Sequence, residues 1–271
     1  MAEAVDPPFA IQDRGFNALE GWTWVGTYGG YYLQCDQLQG FEHGFFTRQW
    51  QGRGPGVLAG YVSAGVSVHR PQQVHGNRVL PASAATGEPW PEADGLVSDG
   101  GGQSLWVCGA DCTPVLIADP RSGRVAACHA GWRGVAGNIL SSAIGQLVAS
   151  GSQANQLVVA LGPAISGACY QVEPWVSEQV ALGLQPSGDS ARLPAALEEL
   201  RQGGALLEDR DANRHRLDIR AAARRQLHHL GIAPQRIAVC PLCTASEPLL
   251  FHSWRRDQIK AVQWSGIISQ A

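Results

Sequence analysis

The stretch SLWVCGADCTPVLIADPRSGRVAACHAGWRGVAGNILSSAIGQLVASG, residues 104–151, decides the reading of the fold. It contains three short apolar runs, at 104–107, 114–118 and 124–128. Each is bounded by Gly, Pro or Asp, as buried strands of four to six residues are. Apolar residues then recur at 135, 139, 140, 143, 144, 147 and 148, the spacing of one helix face, and Gly151 lies just past the end. The stretch therefore predicts paired strands that run into a helix over 135–150.

Toward the N-terminus, WTWVGTYGGYYL at 22–33 alternates β-branched and aromatic residues and reads as paired strands turning at Gly29-Gly30. The glycine-rich 51–60 segment reads as a loop. Residues 1–20, with Pro7-Pro8 and no periodicity, read as a loosely ordered lead-in. Toward the C-terminus the pattern gives a strand at 156–161 and helical segments near 173–184 and 192–201. A helix at about 218–230 and strands at 236–240, 249–254 and 261–268 follow. Strands and helices alternate without a strict βαβ rhythm, so the expectation is a single α+β domain over 21–271 built on mixed sheets.

Composition narrows the function. Charged residues are only 16% of the 271, against a typical ~25%, so much of the chain is expected to be buried. A net charge of −3 gives no electrostatic case for nucleic acid. No run approaches ~18 apolar residues and the N-terminus lacks a basic, then apolar, leader, so no membrane role is expected and the location expected is cytoplasmic. Seven scattered cysteines agree with a reducing compartment. Lys260 is the single lysine, which closes the Walker P-loop route and leaves any Schiff-base chemistry resting on Lys260 alone.

Three segments set histidine or cysteine among glycines: QVHGNRV with His75, CGADCTPVL with Cys112, and ACHAGWRG with His129. Taken singly, each has a plain explanation, since a lone cysteine near a buried strand is usually a small hydrophobe. A hairpin of 114–118 with 124–128, however, would carry Cys112 and His129 to the same end of a sheet. If His75 joins them, two imidazoles and a thiolate leave a fourth position open, as in catalytic zinc sites. Copper also uses two His and a Cys but usually adds an axial methionine, and Met1 is the only one, so Zn2+ is preferred over copper. A fourth ligand from Cys108 or Cys128 would instead make the site structural. Cys108 reads as core. Cys240-Pro-Leu-Cys243 has CxxC spacing but no second pair, and the zinc nucleobase deaminase signature is absent.

Asp111 reads two ways: as a group that orients a ligand or moves protons beside a metal, or as a turn aspartate bonded to nearby backbone. Arg133 precedes the 135–150 helix, whose free N–H groups favour an anion. The plainer reading is stacking on Trp132 or a salt bridge. Arg48, Arg255 and Arg256 are similar cases.

Taken in order, the motifs resemble the laccase-domain family of zinc-containing purine nucleoside phosphorylases, formerly labelled polyphenol oxidases. The motifs are HGFFTR at 43–48, QVHG at 73–76, EADGLV at 92–97, ADCTPVLIADP at 110–120, HAGWRG at 129–134, LGPAISGACYQV at 161–172 and FHSWRRD at 251–257. The resemblance implies a mixed α/β sandwich, a monomer or weak homo-oligomer, and zinc ligands at His75, Cys112 and His129. It also implies phosphorolysis of adenosine, inosine, guanosine and S-methyl-5′-thioadenosine, and deamination of adenosine to inosine. On that footing Arg48 and Arg133 are the candidates to hold phosphate, and Asp111 to handle protons. The chain departs from the family after HGFFTR, where QWQGRGP follows, and in GPAIS at 162–166, where the family has a cysteine. The rival class is a copper-dependent polyphenol oxidase, which would draw on HxH histidine pairs that this sequence lacks.

Overall fold

The computed structural model describes residues 11–12, 19–184 and 190–270. Most of the expected loosely ordered lead-in therefore lies outside the described residues. Within it, Ile11–Gln12 is a short strand paired antiparallel with Val25 and Gly26.

Two sheets stack face to face. The larger has seven strands in the order Ile11–Gln12, Trp22–Thr27, Gly30–Cys35, His43–Phe46, Gln263–Ile268, Gln103–Gly109 and Ser67–His69. The smaller has six, in the order Ile237–Val239, Val158–Leu161, Thr113–Ala118, Val125–Ala130, Gly95–Val97 and Val79–Pro81. Both mix parallel and antiparallel pairs. Side-chain alternation along the central hairpin explains why both faces of the smaller sheet are covered. Leu116, Ala118, Val125 and Ala127 face the larger sheet and meet Trp22, Leu33, Phe45 and Leu105. Val115, Ile117, Ala126 and Cys128 face the other way and are buried against helices Ile139–Ala149, Pro174–Gly183 and Ile219–His229. Helix Pro55–Val62 lies over the outer face of the larger sheet, where Tyr32, Phe46, Trp50, Leu58 and Trp106 form a third cluster. The result is a helix–sheet–sheet–helix sandwich in one domain, the mixed α+β architecture that the strand and helix pattern predicts.

Three local expectations need correction. The 51–60 segment is not all loop: Pro55 sits in the first turn of a helix running to Val62, where its missing N–H costs nothing. The 135–150 helix is two, Trp132–Ala136 and Ile139–Ala149, broken at Gly137 and at Asn138, which adopts a left-handed φ of 62°. The periodicity runs through the break because Val135 and Ile139 are both fully buried. No strand forms at 249–254. Its residues pass through turns into the short helix Trp254–Asp257, which Ser253 Oγ caps by accepting from Arg256 N. The expected hairpins at 22–33 and 114–128 form, as do the helices near 173–184, 192–201 and 218–230.

Candidate metal centre and the cavity around it

The hairpin sets the site. Antiparallel register puts His129 opposite Pro114 and Ala130 opposite Thr113. Cys112, one residue before the first strand, thus lies at the same sheet end as His129. His75 comes from the loop after Ser67–His69. The potential ligand atoms of His75, Cys112 and His129 all lie within 4.8 Å of one another, and the two imidazoles meet edge to face with centroids 4.8 Å apart. Such a trio could hold a metal ion. Gly131 lets the sulfur in: a Cβ at that position would stand 2.8 Å from Cys112 Sγ.

Asp94 holds the cluster together, and the sequence reading did not single it out. Its carboxylate is fully buried and accepts from the backbone N–H groups of Val74 (3.2 Å), His75 (2.9 Å) and Gly76 (2.7 Å) and from His129 Nδ1 (2.8 Å). One side chain therefore fixes the His75 loop, whose central residue has a φ of 61°, and turns His129 so that Nε2 is its free nitrogen. Carboxylates set behind metal-binding histidines in this way orient the ring and raise its basicity. Burial pushes the Asp94 carboxyl up, but the His129 and backbone hydrogen bonds outweigh it and hold it below the usual range. Burial likewise raises the Cys112 thiol, yet the neighbouring His129 charge and hydrogen bonds from both imidazoles bring it down to about 6. Burial lowers His129, and Cys112 and Asp94 reverse this and lift it to about 9. The lowered thiol favours the thiolate, the form of Cys112 that ligates a metal.

The trio lies in the wall of a cavity of about 680 Å³, lined also by Gln73, Cys108, Asp111, Trp132, Arg133, Tyr170, Trp254, Arg255 and the 259–262 segment. That volume falls within the ~300–1,000 Å³ typical of small-molecule sites. Arg133 lies in it, with its guanidinium over the Trp132 ring, 4.4 Å from the centroid, as the plainer stacking reading has it. Arg255 also lies in it, stacked on Tyr170 at 4.8 Å and donating to Gln171 O. Burial, reinforced by the Cys112 charge, raises the Tyr170 phenol to about 12, so it remains a hydrogen-bond donor.

Other candidates fall elsewhere. Arg48 is outside the cavity wall and donates to the Pro248 carbonyl. Arg256 is paired with Asp257 and binds the carbonyls of Thr244, Ala245 and Phe251, which makes it a staple of the chain. Asp111 borders the cavity with a φ of 96°, but its oxygens already accept from Thr244 Oγ1 and Arg255 N, both at 2.7 Å. Both bonds reach distant residues, so Asp111 makes no local aspartate turn. Cys108 is half-buried in the cavity wall rather than in the core, with Gln73 bonded to its backbone N–H and carbonyl. Neither Cys108 nor Cys128 joins the trio, so among the described residues the site offers three ligands. Cys240 is buried between the sheets, while Cys243 accepts from Ser166 N.

Comparison with known proteins shows the family. Residues 58–269 match the family described as multi-copper polyphenol oxidoreductase laccase. A Synechocystis protein named purine nucleoside phosphorylase is 41% identical over 256 residues, covering 92% of this chain and 97% of its own. A Streptomyces coelicolor protein of the same name is 35% identical, covering 69% of this chain and 68% of its own. The crystal structure of YlmD from Geobacillus stearothermophilus superimposes with a TM-score of 0.75 at 25% identity, covering 89% of this chain and 96% of that one. The chain belongs to this laccase-like family. Among the described residues no helix is long and apolar enough to cross a membrane.

Proposed function

We propose that this member of the laccase-like family is a zinc-dependent purine nucleoside phosphorylase. It would split adenosine, inosine, guanosine and S-methyl-5′-thioadenosine with phosphate into the free base and the sugar 1-phosphate, and also deaminate adenosine to inosine. The observation that carries the reading is a three-donor site, backed by Asp94, in the wall of a nucleoside-sized cavity that also presents cations. The names of the Synechocystis and Streptomyces relatives support the same reaction.

Two imidazoles and a thiolate gathered in this way are a donor set that would suit zinc, which His75, Cys112 and His129 would hold with a fourth position left to substrate or water. Copper, the alternative, would lack the axial methionine it usually takes. When bound, zinc supplies Lewis acidity, enough to bring the pKa of water to about 7.

In phosphorolysis a phosphate oxygen bonds to C1′ as the C1′–N9 bond breaks, and its electron pair leaves with the purine, which must gain a proton. The guanidinium of Arg133 holds the anion, since stacking on Trp132 fixes its plane. The Tyr170 phenol, protonated and within the wall, donates toward the leaving base. Trp132, Tyr170 and Trp254 give the base apolar surface to pack on. Asp111 positions Arg255 through its backbone N–H.

The test is chromatography of products from adenosine or inosine, with and without phosphate, beside Cys112→Ala. Phosphate-dependent release of free purine, lost in the variant, is the expected result. Should neither nucleoside be consumed while phenols are oxidised with added copper, the oxidase activity in the family's description replaces this reading.

A further inference from the structure

We infer that Lys260 forms, with Arg133, the subsite that takes the phosphate dianion; the inference rests on the phosphorylase reading. The fold places this lysine, the only one in the sequence, in the cavity wall.

The charge count in the cavity points to an anion. Arg133, Arg255 and Lys260 line it against one carboxylate, Asp111, whose oxygens are already engaged by Thr244 and the Arg255 N–H. Arg255 is itself committed to Gln171 O and the Tyr170 ring. Among the described residues Arg133 has only the Trp132 ring, and the Lys260 ammonium has neither a hydrogen bond nor an ion pair. Two uncommitted unit charges match one phosphate dianion.

The lysine is also presented by ordered backbone. Ala261 N donates to Ile259 O at 2.8 Å, which closes a three-residue turn with Lys260 at its apex. Just before it, Gln258 takes a left-handed φ of 54° and its side chain bonds back to Trp254 O at 2.8 Å. Ile259 and Val262 flank the turn with apolar side chains that are 65% and 43% exposed. A compact, rotatable ammonium on a long stem complements the rigid fork of Arg133, because it can follow the phosphate as its oxygen moves toward C1′.

Because the chain has one lysine, the subsite can be watched directly. Reductive ¹³C-methylation keeps the charge and labels only Lys260 and the terminal amine, and Lys260→Arg identifies which signal is which. Titration with inorganic phosphate at constant ionic strength should shift the Lys260 signal saturably, while chloride should not. In parallel, Lys260→Ala should raise the KM for phosphate about ten-fold, with the KM for inosine within two-fold and zinc content unchanged. If wild type phosphorolyses inosine but neither the signal nor the phosphate KM responds, the subsite is overturned and the phosphorylase reading stands. If wild type releases no base but the signal still saturates with phosphate, the reading falls and the anion subsite is upheld.

Discussion

Replacing Asp94 with asparagine tests the metal centre most sharply. The carboxylate accepts four hydrogen bonds, with His75 N and His129 Nδ1 on one oxygen and Val74 N and Gly76 N on the other. An amide has only one oxygen, so its NH₂ must face one of these two donor pairs. If it faces His129, the ring is driven to the other tautomer, with the proton on Nε2 where a metal would bind. If it faces Val74 and Gly76, the loop carrying His75 is repelled. Either orientation impairs one ligand. Loss of such a partner usually lowers metal affinity 10–100-fold, or about 1.4–2.7 kcal/mol, and donors left facing donors cost stability by about 1–3 kcal/mol. Competition with a chromogenic chelator at pH 7.5 measures the first effect, and thermal melting of the metal-free protein the second. A folded Asp94→Asn protein that bound zinc within two-fold of wild type would refute this account of the site.

Three further outcomes are expected. Gly131→Ala keeps an ordinary backbone conformation, with φ −75° and ψ 174°, but its methyl group would press on Cys112 Sγ. Zinc affinity should fall by on the order of ten-fold or more while the Tm of the metal-free protein changes little, as parallel metal analysis and melting would show. His43 is fully buried, its Nε2 accepting from Cys35 N and its Nδ1 donating to Phe41 O, and burial lowers it from 6.5 to about 4. The unfolded chain therefore takes up this proton first, so the stability it contributes is complete above pH 6.5 and is lost as pH falls toward 4, by about 3 kcal/mol in all. Urea melts between pH 7 and 4.5 should show that slope, and His43→Gln should remove it. Arg133→Ala should raise the KM for phosphate about ten-fold; an unchanged value would take Arg133 out of anion binding.

The convergence of His75, Cys112 and His129 was legible because each sits in a short glycine-flanked motif, and the hairpin that joins two of them follows from strand spacing. Asp94 was not, although EADGLV was noticed: nothing local marks an aspartate whose partners lie 18 to 35 residues away. FFTR looks like an anion grip, but Arg48 lies outside the cavity wall and donates one hydrogen bond to the Pro248 carbonyl, a placement that nothing local in the motif signals. The 249–254 strand failed because Leu250 and Phe251 are buried without a ladder, while Leu249 and Trp254 are exposed. The His252 backbone N–H and carbonyl bond the Gln263 side chain instead, and Phe251 O is taken by Arg256.

The strand Gln263–Ile268 lies in the middle of the larger sheet, between His43–Phe46 and Gln103–Gly109. Its neighbours come from far earlier in the chain, so that sheet stays in two unjoined pieces until this strand has left the ribosome. The smaller sheet, with Cys112 and His129, needs nothing beyond Val239 to pair. The segment bearing Lys260 leads directly into the closing strand. During synthesis the hairpin that carries Cys112 and His129 can therefore be in place before the cavity exists, and insertion of Gln263–Ile268 joins the larger sheet and brings Lys260 to the cavity wall.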